Sequence, residues 1–295
     1  MESEDERKFI LAGRIAAEVR DEAMAFVRPG MKILDLAERI EKLIMEKKAM
    51  PAFPPNISIN DIAAHYTPRY QDDREIGEGE IVKIDIGVHI GGYIGDLAAT
   101  YCSRKNDMVD AAEKVLAEAV KIARPGTKVG EIGSLIEQTA EDLGYGVIAN
   151  LTGHGIEKDN FHAEPTIPNV RNSIQHELAE GDVIAIEPFI CERKGIVKET
   201  GTTEIFRYLQ DRPVRMDESR KILRMAKSDF SSLPFAKRWL CRYFSTLKIS
   251  LALKELQAVN ALEAHPVLKE ATGMKISQAE HTIIVKDKSI ITTKI

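Results

Sequence analysis

The sequence predicts an α+β protein made of two similar halves, because two of its segments occur twice at nearly the same spacing. Residues 27–42 (VRPGMKILDLAERIEK) match residues 123–138 (ARPGTKVGEIGSLIEQ) at an offset of 96. Residues 78–87 (EGEIVKIDIG) match residues 180–189 (EGDVIAIEPF) at an offset of 102. The first repeat has helical periodicity and the second is an apolar, strand-like run, so each half is predicted to hold helices followed by a sheet.

Each half is predicted to begin with two helices. Apolar residues keep helical spacing over residues 9–23 and again over residues 115–123, and an Arg-Pro-Gly sequence then ends each helix. A second helix follows each Arg-Pro-Gly, with buried apolar faces over residues 36–44 and 132–140.

Strands are predicted after each helix pair. Residues 81–88 and 93–101 are expected to form a hairpin, and residues 183–189 open the sheet of the second half. Two further strands are predicted at Glu280–Val285 and at residues 289–293.

The duplication stops after Pro213, and the next stretch reads as charged and helical. We expect residues 214–266 to form an inserted helical subdomain of about three helices, one of them starting at the sequence Ser-Ser-Leu-Pro of residues 231–234. Because no low-complexity linker is present, the chain is predicted to be a single domain over residues 1–295 with this insertion inside it.

Composition limits the classes of partner. The 295 residues include 41 lysines and arginines against 46 aspartates and glutamates, and this net charge of −5 argues against nucleic acid or an anionic membrane as the main partner. The three cysteines, Cys102, Cys191 and Cys241, are far apart and indicate a reducing compartment. The N-terminal residues MESEDERKF are charged and no long apolar run follows, so we expect a cytoplasmic protein, monomeric by default.

The hairpin carries the first sign of chemistry. With a turn centred between Ile90 and Gly91, Asp85 and Asp96 are predicted to lie directly opposite each other, with Cβ atoms about 5 Å apart. Two like charges there destabilise an apolar sheet unless a shared proton, a cationic side chain or a metal neutralises them. Carboxylates at this separation can hold divalent ions.

Three other residues fit the same hypothesis. Glu187 and Glu280 interrupt strongly apolar strand sequences, and His154 lies in what reads as a glycine-flanked loop. The repeat also aligns Glu187 with Asp85. These five ligands suffice for a dinuclear metal site that activates water for hydrolysis, whereas a single acid in a strand is usually an edge or surface residue.

Histidines taken singly are usually structural. We therefore assign no metal role to His89, His176 or His281.

Five segments resemble the methionine aminopeptidases, specifically their type 2 branch. The matching residues are 51–68 (PAFPPNISINDIAAHYTP), 82–100 (VKIDIGVHIGGYIGDLAAT), 150–156 (NLTGHGI), 184–189 (IAIEPF) and 280–285 (EHTIIV). The resemblance extends from about residue 6 to the C-terminus. It implies the pita-bread fold, in which two pseudo-symmetric αβ halves surround a dinuclear metal centre, with an insertion after Pro213.

The resemblance also implies roles for the ligands. Asp85 is similar to a ligand of one ion and His154 to a ligand of the other, while Asp96 and Glu280 match bridging ligands. Glu187 matches a ligand that also transfers a proton from water to the leaving amine. The ions expected are two divalent metals, and the ligand types do not distinguish among Co, Mn, Fe and Zn.

Four more residues match substrate-binding positions of the family. His65 resembles the histidine near the scissile amide, and His162 resembles the one that stabilises the oxyanion. Phe53 and Phe161 match residues that line an apolar pocket for methionine. The chain departs from the family at Ala279, where an aromatic residue is common, and at His265, where a tyrosine is common.

The expected activity is removal of the initiator methionine from nascent proteins when the second residue is small. Its substrates are N-terminal methionyl peptides, and the ribosome is a further partner that the residues neither require nor exclude. The alternatives are an Xaa-Pro dipeptidase or aminopeptidase P of the same fold, which usually has an extra N-terminal domain, and a non-catalytic pita-bread binding protein, which would tend to lose ligands. We expect no such domain ahead of residue 51.

Overall fold

The computed structural model describes residues 4–295, which form six α-helices and sixteen β-strands. The helices are α1 (Glu4–Phe26), α2 (Ile33–Glu46), α3 (Asp107–Ile122), α4 (Val129–Asp142), α5 (Asp217–Met225) and α6 (Thr246–Ala258). The first eight strands are β1 (Met50–Pro51), β2 (Asn56–Ile59), β3 (Ile62–Ala64), β4 (Val82–Ile90), β5 (Tyr93–Tyr101), β6 (Gly146–Val147), β7 (Thr152–Glu157) and β8 (Asn160–Pro168). The other eight are β9 (Val183–Ile186), β10 (Phe189–Cys191), β11 (Val197–Tyr208), β12 (Phe235–Ala236), β13 (Leu262–Glu270), β14 (Ile276–Gln278), β15 (His281–Ile284) and β16 (Ile290–Ile291).

The first half packs α1 and α2 against a sheet in the order β1-β4-β2, with β5 paired to β4. Ile33, Leu36 and Ile40 repeat at helical spacing on α2 and are fully buried against Ile84 of β4. Burial of such side chains contributes about 1.5–3 kcal/mol each, which explains why this face of α2 points to the sheet. The two predicted helices of this half are confirmed.

The second half repeats this arrangement. Helices α3 and α4 pack against a sheet in the order β16-β15-β9-β7-β8. Val115 of α3 and Ile132 and Ile136 of α4 are fully buried in one cluster with Ile184 of β9. The predicted helices are confirmed here too, and the duplicated sequence corresponds to two helix-on-sheet units, each with its own core.

The β4–β5 hairpin has a different register from the one expected. Gly91 and Gly92 form its turn, with φ of 57° and 88°, so Ile90 pairs with Tyr93. A two-residue turn with positive φ at both positions strongly favours glycine. As a result Asp85 pairs with Ala98 and Asp96 pairs with Gly87.

The prediction that the two aspartates directly face each other is therefore wrong. They are diagonal neighbours on the hairpin instead.

The two halves join where β5 meets β15. The backbone N–H of Asp96 donates to Thr282 Oγ1 at 2.8 Å, and the Thr282 hydroxyl donates to the Asp96 carbonyl at 2.7 Å. The backbone N–H of Glu280 donates to the Ala98 carbonyl at 3.0 Å. Both β5 and the residue before β15 carry predicted ligands, so the seam between the halves is also where these side chains converge.

Residues 214–266 contain α5, a π-helical turn at Ala226–Phe230, a 3-10 helix at Lys237–Arg242, and α6. Residues 231–234 do not start a helix, because they lead into the short strand β12, which pairs with β11. Residues 262–266 are not helical either. They begin β13, which pairs with β11 and closes a hairpin around the helical residues.

The helical segment is fixed to the first half by a buried ion pair. Arg238 donates to the Glu41 carboxylate on α2 and, at 2.6 Å, to the Thr67 hydroxyl. The indole N–H of Trp239 donates to the same Glu41 oxygen at 2.9 Å. Both partners of the ion pair are less than 10% exposed, at 6% for Arg238 and 8% for Glu41, so the contact is shielded from solvent.

Within residues 4–295, no helix combines the length and the apolar character needed to cross a membrane.

Candidate active site

The five predicted ligands line a single cavity of about 320 Å³. They come from five different strands or strand ends: Asp85 from β4, Asp96 from β5, His154 from β7, Glu187 directly after β9 and Glu280 directly before β15. Two of them belong to the first half and three to the second. The cavity is therefore completed only where the two halves meet.

Distances within the cluster are short enough for a shared ion. His154 Nε2 lies 3.7 Å from Asp96 Oδ2 and 3.7 Å from Glu187 Oε1. Asp96, His154 and Glu280 each present a ligand atom, and these three atoms lie within 4.8 Å of one another.

Gln278 also contacts the cluster and was not predicted from the sequence. Its Nε2 donates to Glu187 Oε2 at 3.3 Å and to Glu280 Oε2 at 3.4 Å. The signal that could have found it is its position two residues before Glu280, since alternate residues of an extended chain share one face.

The charged form of the four clustered carboxyl groups is unfavourable without a bound cation. Burial raises the pKa of Asp85 to about 7. Burial, followed by repulsion among the carboxylates, holds the pKa of Asp96, Glu187 and Glu280 well above the usual range. Burial also lowers the pKa of the His154 imidazole to about 4.

The donor set fits divalent metal ions. Across residues 4–295, no lysine or arginine forms an ion pair with any of the four carboxylates. Asp85 Oδ1 and Asp96 Oδ1 are buried without a hydrogen-bond partner. Buried charges are normally paired or bound to metal, and carboxylate with imidazole suits hard or borderline divalent ions.

His154 lies within strand β7 and not in a loop, so that part of the prediction is wrong. The strand runs between β9 and β8. A Cβ at Gly153 would stand 2.2 Å from the Ala185 carbonyl oxygen, and one at Gly155 would stand 2.1 Å from the Glu164 carbonyl oxygen. The flanking glycines are therefore needed for close strand packing around the histidine.

An aromatic wall forms one side of the cavity. The rings of Phe53 and Phe161 lie 5.5 Å apart between centroids, and both side chains are buried. Gly87 makes room for Phe53, because a Cβ there would lie 2.3 Å from the phenyl ring. The repeat aligns this glycine with a phenylalanine, so its role was not apparent from the sequence.

His162 lies next to the cluster. Its ring centroid is 4.5 Å from that of His154 and 3.9 Å from that of Phe161. His162 is exposed where it borders the open cavity, and desolvation by the cavity walls, followed by the neighbouring histidines, lowers its pKa, so the imidazole is neutral near pH 7.

His65 lines the same cavity in an unusual backbone conformation, with φ of 61°. Its Nδ1 lies 3.2 Å from the Pro266 carbonyl oxygen, which assigns the proton of the neutral ring to Nδ1 and leaves Nε2 as an acceptor. His265 packs edge-to-face on His65 with centroids 5.6 Å apart. This departure from the family thus lies in the cavity wall.

The other residues that the sequence analysis discussed lie outside this cavity. Ala279 and His281 line a separate cleft between α1 and α3, where His281 Nδ1 is 2.9 Å from Thr293 Oγ1. His89 Nδ1 accepts a hydrogen bond from the backbone N–H of Gly92 at the hairpin turn. His176 is exposed.

The cavity between the two αβ halves combines a cluster of buried carboxylates, a histidine and an aromatic wall. This combination is typical of a metal-dependent hydrolase. Comparison with known proteins narrows this class. Residues 7–215 match the model of metallopeptidase family M24. The chain is 45% identical over 294 residues to a methionine aminopeptidase of Thermococcus onnurineus, an alignment that covers 98% of this chain and 100% of that protein. It is 44% identical to one of Archaeoglobus fulgidus, with both chains covered completely. The chain therefore belongs to metallopeptidase family M24, among its methionine aminopeptidases.

Solved structures share the fold. A thermophilic Arx1 superposes with a TM-score of 0.83 at 19% identity, covering 97% of this chain and 90% of that one. The methionine aminopeptidase of Rickettsia prowazekii gives a TM-score of 0.72 at 24% identity, covering 100% and 98%. A prolidase of Pyrococcus horikoshii gives 0.61 at 21% identity, and this chain covers only 63% of it. The chain thus has the pita-bread fold that these proteins share.

Proposed function

We propose that this chain removes the N-terminal methionine from newly made proteins by metal-dependent hydrolysis, when the second residue is small. The observation that carries the proposal is the convergence of five ligand-type side chains, two histidines and two phenylalanines on one cavity. The relatives named methionine aminopeptidase, which align over nearly the whole chain, support the same activity.

The proposed metal centre holds two divalent ions. Asp85, Asp96, His154, Glu187 and Glu280 would hold these ions, with the individual roles that the family resemblance implies. Such ions supply positive charge that lowers the pKa of the attacking water and polarises the scissile carbonyl. Co, Mn, Fe and Zn all suit these ligands.

The protein side chains carry the proton and orient the substrate. Glu187 accepts the proton released by the attacking water and passes it to the nitrogen of the leaving amine. Gln278 supports this role, because its hydrogen bond to Glu187 Oε2 fixes the carboxylate. His162 is neutral and donates its N–H to the oxyanion, a type of contact that contributes about 3–4 kcal/mol in the best cases.

His65 is proposed to act on the other side of the scissile bond. Since the Pro266 carbonyl holds its proton on Nδ1, Nε2 is free to accept a hydrogen bond from the N–H of the scissile amide. The tautomer thus matches a position near the amide nitrogen.

The wall formed by Phe53 and Phe161 is proposed to bind the methionine side chain. The free α-amino group of the substrate would bind at the metal centre, which would restrict cleavage to the N-terminal residue. An N-acetylated peptide should therefore resist cleavage, and its efficient cleavage would contradict the proposal.

The test is hydrolysis of Met-Ala-Ser after chelator treatment and metal add-back. We expect no activity in the stripped protein, recovery with at least one of the four metals, and about two ions bound per chain. Asp96→Asn should abolish recovery, whereas Asp110→Asn, an exposed control, should not. A stripped protein with full activity would refute the proposal.

Two alternatives are separated by the same assay. A prolidase-type enzyme would prefer Xaa-Pro peptides over Met-Ala-Ser. A non-catalytic binding protein would bind no stoichiometric metal and cleave neither peptide.

We also propose that residues 1–295 act as one catalytic domain, with residues 214–266 as an insertion that holds α5 and α6 and ends in the first residues of β13, and that the protein is a cytoplasmic monomer. The hairpin of β11 and β13 around the helical residues supports the insertion, because both strands belong to a sheet that also contains β3 of the first half.

A further inference from the structure

Strand β4 contains a lysine, Lys83, that is completely buried. Among residues 4–295, no carboxylate lies within ion-pair distance of its side chain, and Asp61 pairs with Lys269 instead, at 3.0 Å. Lysine is almost never fully buried unless it is paired. Its side-chain nitrogen must therefore find hydrogen-bond acceptors of another kind.

The side-chain nitrogen of Lys83 donates to two backbone carbonyl groups. One belongs to Asn60, at 3.0 Å, in the turn between β2 and β3. The other belongs to Ile276, at 2.9 Å, which is the first residue of β14. The Asn60 carbonyl also accepts a hydrogen bond at 3.0 Å from the backbone N–H of Ile276. Lys83 thus joins β4 to the start of β14.

A second side chain, that of Thr100 on β5, contacts the other end of β14. Its hydroxyl donates to the Gln278 carbonyl at 2.6 Å and accepts from the Gln278 backbone N–H at 2.9 Å. Thr100 lies directly opposite Lys83 in the β4–β5 ladder, so the two side chains project from the same face of the sheet. Together they contact the first and last residues of β14, and we call this pair the β14 clamp.

The β14 clamp connects two different sheets. Strands β4 and β5 belong to the sheet of the first half, whereas β14 pairs antiparallel with β10, where Gln278 lies opposite Phe189. Side chains of the first half therefore fix the position of a strand whose backbone pairs with the second half.

Strand β14 leads directly into the carboxylate cluster. The Gln278 side chain donates to Glu187 Oε2 and to Glu280 Oε2, and Glu280 follows β14 by two residues. On the other side of the clamp, Asp85 lies two residues after Lys83 and on the same face of β4. The clamp thus lies where the spacing between carboxylates of the first and second halves is set.

Neither residue of the clamp lines the active-site cavity. Any effect of Lys83 or Thr100 on the metal centre must therefore pass through the backbone of β14. Groups that orient metal ligands without touching the ion typically change metal affinity or activity 10–100-fold when they are removed.

We propose that Lys83 and Thr100 are positioning residues of the metal centre, which hold β14 where Gln278 and the glutamate that follows it complete the ligand set. This inference rests on the proposed function. Loss of either side chain lets β14 move relative to β4 and β5, so an ion held by ligands of both halves binds less tightly. The methionine pocket keeps its shape, because Phe53 and Phe161 do not belong to β14.

The experiment is calorimetric titration of Mn²⁺ into the chelator-stripped, full-length protein, with urea unfolding and Met-Ala-Ser hydrolysis measured on the same samples. Lys83→Met keeps most of the aliphatic stem and removes the donor. The Kd of the more weakly bound ion should rise at least about 10-fold. At saturating Mn²⁺, kcat should fall at least about 10-fold while KM changes less, because the substrate pocket is intact.

Thr100→Val and Thr100→Ser form a matched pair that decides the matter even if Lys83→Met does not fold. Valine removes the hydroxyl and should weaken Mn²⁺ binding in the same way as Lys83→Met. Serine keeps the hydroxyl and should bind Mn²⁺ as the wild type does. A serine variant as weak as the valine variant would overturn the proposal, as would wild-type affinity in both Lys83→Met and Thr100→Val.

Ile44→Ala is the control for a general loss of stability, because Ile44 is fully buried in the core of the first half on α2. It should unfold at lower urea concentration yet keep both Mn²⁺ affinities and kcat. Equal loss of metal affinity in Ile44→Ala and Lys83→Met would overturn the positioning role. A wild type that binds two ions but leaves Met-Ala-Ser intact would refute the proposed activity alone, since the affinities still test the clamp. A wild type that binds no metal would refute both.

Discussion

Asp85→Asn is expected to stabilise the metal-free protein while abolishing its activity. Asp85 is buried with one unpartnered oxygen, and burial raises its pKa from 3.8 to about 7. With the folded pKa above the unfolded one, the folded protein retains a proton that the unfolded chain has released. The contribution of Asp85 to stability is therefore lost progressively as the pH rises from 3.8 towards 7.

The magnitude follows from the size of the pKa change. One pKa unit corresponds to about 1.4 kcal/mol, so the penalty is about 4 kcal/mol above pH 7 and about 1.6 kcal/mol at pH 5. Asparagine has nearly the same shape and no charge. The substitution should thus raise the free energy of unfolding more at pH 7.5 than at pH 5, with a difference of about 2.4 kcal/mol.

Buried histidines change stability with pH in the opposite sense. The pKa of His154, His265 and His281 is lowered to about 4 by burial, so their contribution is lost as the pH falls below about 6.5. His265 and His281 lie outside the carboxylate cluster and are present in both proteins, so their effect cancels in the difference between the Asp85→Asn variant and the wild type.

The assay is urea unfolding in the presence of a chelator at pH 5 and pH 7.5. The exposed control Asp110→Asn should differ little from the wild type at either pH. Adding metal at about 100 times its Kd should stabilise the wild type by about 2.7 kcal/mol and the Asp85→Asn variant by less. The reasoning fails if the Asp85→Asn variant is no more stable than the wild type in chelator, or if its gain is the same at both pH values.

Three further substitutions test other parts of the structure. Gly87→Ala should lower kcat/KM for Met-Ala-Ser at least about 10-fold, because the new Cβ would displace the Phe53 ring. Arg238→Met should cost about 3–5 kcal/mol of unfolding free energy, measured in urea, because it leaves Glu41 buried without its ion-pair partner. His265→Tyr should change the ratio of Met-Ala-Ser to Met-Val-Ser cleavage at least about 3-fold without changing metal content, because the larger ring reshapes the cavity wall.

Each of these three substitutions has a control or a further variant to compare it with. Gly201→Ala should leave kcat/KM unchanged, since nothing lies within 4 Å of the added Cβ. Adding Glu41→Gln to Arg238→Met should recover part of the lost stability, and no recovery would argue against an unpaired charge as the cause. An unchanged substrate ratio in the His265→Tyr variant would place that residue outside the substrate path.

The helices could be predicted because their apolar residues repeat with a single period. Leu36 and Ile40 lie one turn apart on the buried face of α2, as Ile132 and Ile136 do on α4. Strands β11 and β13 were not predicted from the sequence. Several residues of β11, such as Lys198 and Thr202, are exposed, so β11 lacks the alternation of apolar and polar residues that indicates a strand.

The set of ligand-type residues could be predicted although their geometry could not. An acid such as Glu187 or Glu280 inside an apolar run is costly unless it is compensated, so its presence signals a site. The separation of Asp85 and Asp96 depends on the hairpin register, and a turn one residue further along shifts that register by two. Gly91 and Gly92 permit several turns, and only the folded backbone selects one.

The hydrogen bonds between Asp96 and Thr282 have a consequence for biosynthesis. They join strands β5 and β15, which are separated by most of the chain, and the proposed ligands are divided between the two halves that these bonds connect. A ribosome-bound chain that has completed only its first half holds two of the five proposed ligands, so its proposed metal site is incomplete. The proposed site is thus completed late in synthesis, after Glu280 has been made and has docked against β5.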